Sequence, residues 1–210
     1  MPHGLSRNRW CRRGWVALLA LAWAGVLHAT TLQSIQTTQS AEGLRLSAAV
    51  QVNLTAQVQQ ALERGVPLYF VHQVQVVQPR WWWRDRVVSD HKRRLRLAQQ
   101  ALTRQWRVAV LDEPTGTADG GSGQTLSFTV PSVSAALALI GKVSQWLVLP
   151  LPEWPEVGEA PQLVYRFYLD TSELPGPFQI GQGSSAEWSV RLEAVRPLSL
   201  RARTPTEVAR

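Results

Sequence analysis

The sequence predicts a mainly β fold: one antiparallel, two-layer β-sandwich-like domain with two short helices. Three observations carry that expectation. Several segments alternate apolar and polar residues with period two, which puts successive side chains on opposite faces of a strand. Only two stretches change to the three-and-four spacing of a helix, and both are short. Glycine, proline and small polar residues recur between the segments, as they do where strands are joined by turns and loops.

The first residues of the 210-residue chain read as a targeting segment. Arg7, Arg9, Arg12 and Arg13 precede an apolar run from Trp15 to Leu27, which is followed by His28 and Ala29. Basic, apolar and small-residue regions in that order make residues 1–29 a secretory signal peptide. The apolar run spans about 20 Å as a helix, short of the roughly 30 Å hydrocarbon core. The expected location is therefore the periplasm, with an uncleaved inner-membrane anchor as the alternative. Cys11 precedes the run, where it is not placed for lipid attachment.

Cleavage after Ala29 leaves no cysteine or methionine, so residues 30–196 are expected to form a single β-rich domain without disulfides or zinc–thiolate sites. Residues 197–210 read as a flexible basic tail. The whole chain has 22 Lys and Arg against 15 Asp and Glu; four arginines leave with the signal, so the net charge falls from +7 to +3. That removes the electrostatic basis for nucleic-acid binding. The remaining charge is uneven. Arg80 to Arg107 hold nine bases and two acids, whereas Val108 to Val190 hold two bases and nine acids. The two segments either pair within the fold or leave a basic surface for an anionic partner.

Leu32 to Gln39 and Leu44 to Asn53 alternate as strands, the second with Leu44, Leu46, Ala48, Val50 and Val52 on one face. Thr55 to Arg64 spaces Leu54, Val58, Ala61 and Leu62 as a short helix, with Asn53 as N-cap and Gly65 just past its end. Val66 to Gln78 is a strand that puts Leu68, Phe70, Val74 and Val76 on one face and stops at Pro79. Trp81 to Val88, Arg93 to Gln100 and Leu102 to Leu111 read as a meander of three strands. The glycine-rich stretch from Asp112 to Gln124 is a loop. Thr125 to Val130 is a strand, and Ser132 caps a second helix through Ser144 with Val133, Ala136, Leu137, Ile140 and Val143 as its apolar stripe. Trp146 to Leu149, Leu163 to Leu169 and Trp188 to Leu192 complete the strands.

Four blocks carry a resemblance: residues 65–70 (Gly-Val-Pro-Leu-Tyr-Phe), 80–85 (Arg-Trp-Trp-Trp-Arg-Asp), 102–108 (Leu-Thr-Arg-Gln-Trp-Arg-Val) and 169–179, with Trp188 downstream. In that order and spacing, from about Leu32 to Leu192, the chain resembles an uncharacterised family of exported proteins of Gram-negative bacteria, the domain of unknown function 4390. The resemblance implies a one-domain envelope protein, with no catalytic residues to carry over. The loop at Gly116 to Gly123 and the segment Pro152 to Pro161 look like longer insertions than that family needs.

No catalytic, cofactor or metal site is read from the sequence. Gly181-Gln182-Gly183-Ser184-Ser185-Ala186 spells a dinucleotide fingerprint, but lacks the strand and long helix that such a site requires. No serine sits in a nucleophile-elbow frame. His72 lies within an apolar strand, where a hydrogen-bonded core role fits it, and His91 falls in the turn-like run Ser89-Asp90-His91-Lys92 and is expected to be exposed. Glu153, Glu156 and Glu159 lack the spacing of a calcium loop.

The feature that asks for an explanation is Trp81-Trp82-Trp83 between Arg80 and Arg84. On a strand, Trp82 shares a face with both arginines while Trp81 and Trp83 share the other. Trp82 is then either stacked beneath arginine stems or exposed as an aromatic and basic contact surface. Leu174-Pro175-Gly176-Pro177-Phe178 is a rigid turn that delivers Phe178 to the core or to a partner. The expected function is that of a non-enzymatic envelope binding or accessory module. Its partner would be an envelope protein or the membrane or cell-wall surface, met through Arg80, Trp82, Arg84 and Phe178. The alternative is a carbohydrate- or peptidoglycan-directed domain, binding or hydrolytic, for which hydrolysis needs two facing carboxylates drawn from Asp85, Asp90, Asp170 and Glu173.

Overall fold

The computed structural model describes residues 30–80, 84–112, 126–150, 160–174 and 188–199. In chain order the elements among them are β1 (Thr31–Ser40), β2 (Gly43–Gln51), α1 (Ala56–Glu63), β3 (Leu68–Gln78), β4 (Arg86–Gln99), β5 (Trp106–Asp112), β6 (Leu126–Val130), α2 (Val133–Ile140), β7 (Lys142–Pro150), β8 (Gln162–Asp170) and β9 (Arg191–Pro197). They form two antiparallel sheets, one of order β1-β2-β7 and one of order β6-β5-β4-β3-β8-β9. The fold is mainly β, two-layered and sandwich-like, with two short helices, as the alternation predicts.

The alternation fixes which faces meet. Leu44, Leu46, Ala48 and Val50 of β2 are buried against Leu68, Phe70, Val74 and Val76 of β3, together with Leu95 and Leu97 of β4 and Leu163, Tyr165 and Phe167 of β8. Phe70 and Phe167 stack at the centre with ring centroids 5.9 Å apart. A polar bridge also crosses the layers, because Ser89 of β4 donates from Oγ to the Val148 carbonyl of β7 at 2.8 Å. Val148 lies at a register shift between β2 and β7, where the regular ladder is interrupted, and Ser89 gives its carbonyl a partner.

Several boundaries differ from the sequence expectation. Thr55, not Asn53, caps α1: its Oγ1 accepts from the Val58 amide at 3.4 Å, and Gly65 follows the helix at φ +85° as expected. Ser132 caps α2 as expected, accepting from the Ala135 amide at 3.2 Å. That helix nevertheless ends at Ile140, because Gly141 turns the chain into β7, and Val143 belongs to the strand. The Gly141 carbonyl accepts from the Val50 amide at 2.8 Å, and a Cβ on Gly141 would collide with the Val50 carbonyl oxygen. The backbones of β2 and the helix end can approach only where no side chain intervenes.

The expected meander contains one strand fewer. β4 is a single strand of 14 residues that runs through Ser89-Asp90-His91-Lys92, with no turn there. The turn comes at residues 100–105, closed by the Gln100 amide on the Gln105 carbonyl and the Arg104 amide on the Gln100 carbonyl, both at 2.8 Å. Leu102 is fully exposed in that turn and belongs to no strand. At the far end β9 is Arg191–Pro197, later than the expected Trp188 to Leu192. Leu198 is buried and its amide donates to the Pro161 carbonyl at 2.8 Å, so the fold takes in that residue.

Candidate basic binding face

The central strand β3 divides its side chains between two environments. Its inward positions meet the core, and one of them is His72, fully buried. His72 Nε2 lies 2.8 Å from the Ile140 carbonyl and Nδ1 lies 2.7 Å from the Tyr165 hydroxyl. A carbonyl can only accept, so Nε2 carries the proton and Nδ1 accepts from Tyr165. Burial pushes the imidazole down to about 4, against the Ile140 carbonyl, which favours the proton, and with a smaller downward push from Arg93. Burial likewise raises the Tyr165 hydroxyl above its ordinary value. Both ring nitrogens are engaged within the core, the hydrogen-bonded role that the sequence assigned to this residue.

His91 departs from expectation. It lies opposite Val74 on the inward face of β4 and is half-buried rather than exposed. Its ring meets Trp146 of β7 edge-on with centroids 6.3 Å apart, and Arg93 places its Cζ 4.9 Å from the Trp146 ring centroid. Ser89, His91 and Arg93 thus form a polar row along the inward face of β4 where it passes β7. The His91 Nε2 is buried without a hydrogen-bond partner among the described residues.

The outward face of the large sheet separates into two parts. Across β3, β8 and β9 a connected set of polar groups satisfies its members. Asp90 accepts from Gln73 at 2.9 and 3.1 Å and from Gln75 at 2.9 Å; Gln75 in turn accepts from Arg166 at 2.6 Å, and Arg166 pairs with Glu193 at 3.3 Å. Arg94 reaches Asp170 and Glu173, both at 3.5 Å. This is the pairing of basic band with acidic half that the charge distribution allowed.

Across β4 and β5 the balance is different. Lys92 and Arg96 alternate outward with Arg94, and both are exposed with no acidic partner among the described residues. The register sets Arg96 opposite Ala109 and Ala98 opposite Arg107, so the two arginines are diagonal neighbours, within reach of a common ligand. Arg107 is exposed and donates to Ser127 Oγ of β6 at 3.0 Å. Between them lies a shallow depression of about 270 Å³ whose other lining residues are Ala98, Ala109 and Leu111.

The residues singled out in the sequence fall as follows. Pro79 has no amide to donate and β3 stops at Gln78; β4 starts at Arg86, so Arg80, Arg84 and Asp85 stand in the connection between them, outside any strand. The face-sharing argument drawn from strand alternation therefore has no strand to act on at Arg80 or Arg84. Trp82 and Phe178 lie outside the described residues, as do Glu153, Glu156, Glu159 and the Gly181 to Ala186 motif. Of the four carboxylates, Asp170 and Glu173 meet on Arg94, Asp90 is held by two glutamines and Asp85 is exposed; none lines the depression. Arg96, Arg107 and their apolar floor were not singled out from the sequence. The outward alternation of Arg94, Arg96 and Ala98 against Leu95 and Leu97 is the signal that points to them.

The chain belongs to the family described as a domain of unknown function (DUF4390), whose model matches residues 28–196. No curated protein and no solved structure gives a match.

Proposed function

We propose that the protein is a non-enzymatic binding or accessory module of the cell envelope, exported by residues 1–29. It engages an acidic surface, of an envelope protein, the membrane or the cell wall, through the outward face of β4 and β5. One observation carries the reading: Lys92, Arg96 and Arg107 are exposed on one face with no acidic partner among the described residues, whereas Arg94 and Arg166 beside them are paired with acids. A surface with uncompensated bases attracts anions and steers their approach. Arg80, Trp82 and Arg84, in the connection that leads into β4, and Phe178 remain proposed contacts of the same module.

In-cell crosslinking and co-sedimentation with purified envelope test the reading. The native protein is compared with Lys92→Gln/Arg96→Gln and with Trp82→Ala/Arg84→Ala, each checked for folding and processing. Capture that weakens with salt and is lost in the first double variant supports the β4–β5 face. Capture that is insensitive to salt and unchanged in both variants overturns it.

A further inference from the structure

Resting on that reading, we infer that the depression between Arg96 and Arg107 is a subsite for a phosphate monoester attached to an apolar group. Two like charges at neighbouring positions repel one another, weakly where solvent screens them, and an anion between them turns that repulsion into attraction. Among the described residues no carboxylate lines this depression, and the side-chain hydrogen bond that engages the two arginines there is the one from Arg107 to Ser127. Each guanidinium therefore keeps donors available for a ligand, because arginine carries five.

The geometry favours phosphate over carboxylate. One guanidinium fork fills the two oxygens of a carboxylate, whereas a monoester offers three terminal oxygens and close to two negative charges. Two forks approaching from diagonal sites match that number of acceptors and that charge. The floor of Ala98, Ala109 and Leu111 has no polar side chain, and it exceeds the room that phosphate alone would fill. The ester group lies on this floor, where removing apolar surface from water adds to the binding. Ser127, already fixed to Arg107, holds that guanidinium at the rim.

The probes are phenyl phosphate, inorganic phosphate and phenylacetate, titrated into the purified processed protein and followed by amide chemical shifts and calorimetry. Phenyl phosphate is expected to bind about tenfold more tightly than either other probe, since covering one face of the aryl ring and adding a second charge-assisted fork are each worth about that much. Arg96→Gln and Arg107→Gln should each lose at least about tenfold, while Lys92→Gln, on the same face outside the depression, should lose far less. Ala109→Leu fills the floor and should remove the preference for phenyl phosphate over inorganic phosphate without abolishing phosphate binding.

Phosphatidylcholine vesicles containing phosphatidic acid or, at equal charge, phosphatidylglycerol distinguish the sources of such a ligand. Selective binding to phosphatidic acid, displaced by phenyl phosphate, places the ester on a lipid headgroup. Phenyl phosphate binding without vesicle binding places it on a soluble molecule; both support the subsite. Equal binding to the two anionic vesicles, with Lys92→Gln as damaging as Arg96→Gln and no preference for phenyl phosphate, overturns the subsite while leaving the basic-face reading standing. No binding to any anion overturns both.

Discussion

His72 donates its Nε2 proton to the carbonyl of Ile140, the last residue of α2, at 2.8 Å, so a buried imidazole on the central strand completes the end of a helix. The last carbonyls of a helix have no partner within it, and one of them here is satisfied from the core of the sheet. The same ring accepts from Tyr165, which ties β3, α2 and β8 together through one side chain.

This arrangement makes stability depend on pH in a defined window. The unfolded chain takes up a proton near the ordinary value of 6.5, while the folded ring resists it down to about 4. The unfolded state therefore binds more protons between these values. The contribution is fully present above pH 6.5 and is lost as the pH falls through the window, the loss amounting to about 3 kcal/mol at the lower end. Urea midpoints of the native protein and of His72→Gln between pH 7 and 4 should converge as the pH falls. Parallel curves would contradict the assignment.

Tyr165→Phe removes the hydroxyl and leaves His72 Nδ1 buried without a donor. The expected loss is about 1–3 kcal/mol in denaturant unfolding, the cost of an orphaned buried acceptor. The double variant His72→Phe/Tyr165→Phe should lose less than the sum of the two single changes.

Ser89→Ala takes away the hydrogen bond that Ser89 Oγ donates to the Val148 carbonyl, at a point where the β2–β7 ladder is interrupted. A loss of about 1–3 kcal/mol is expected, with faster hydrogen exchange confined to β7 and the facing part of β4. Unchanged exchange in β7 would contradict this role.

Gly141→Ala forces a methyl group against the Val50 carbonyl oxygen. The expected cost is about 1–3 kcal/mol in thermal or urea unfolding, the range for adding atoms to a packed site. Gly65→Ala meets nothing within 4 Å, so its cost comes from the positive φ alone and serves as the comparison.

Glu173→Gln removes an acid from beside Arg94 and adds one effective positive charge to the basic face. Affinity for anionic vesicles should rise roughly fivefold at low salt, the equivalent of the ~1 kcal/mol that a basic group is worth at such a surface. A fall in affinity would count against the proposed face.

Most of the sheet was legible because β2 and β3 alternate cleanly between a buried and an outward face. β4 was not, for a specific reason: Ser89 and His91 are inward-facing polar residues, and their company of a displaced carbonyl and a tryptophan comes from β7, more than fifty positions away. Locally they look like turn residues. The end of α2 was missed because apolar spacing continued through Val143, while the stop depended on the close approach of Gly141 to β2. The basic band was visible as a count of charges. Which arginines are neighbours follows instead from the register of Arg96 with Ala109, and that register is set by the turn at residues 100–105. The uncompensated part of the band then emerges only when the β8 and β9 acids are placed beside Arg94 and Arg166.

β3 is flanked by β4, its neighbour in the chain, and by β8, which reaches it only across 93 residues between His72 and Tyr165. The meander β3 to β6 can zip up by local contacts, but the middle of the large sheet stays open on one side until β8 arrives. Closure over such a separation carries the loop entropy that slows β-rich proteins to milliseconds or seconds. For that interval His72 and the apolar edge of β3 face water, and a nascent or refolding chain presents an adhesive strand that the finished molecule conceals.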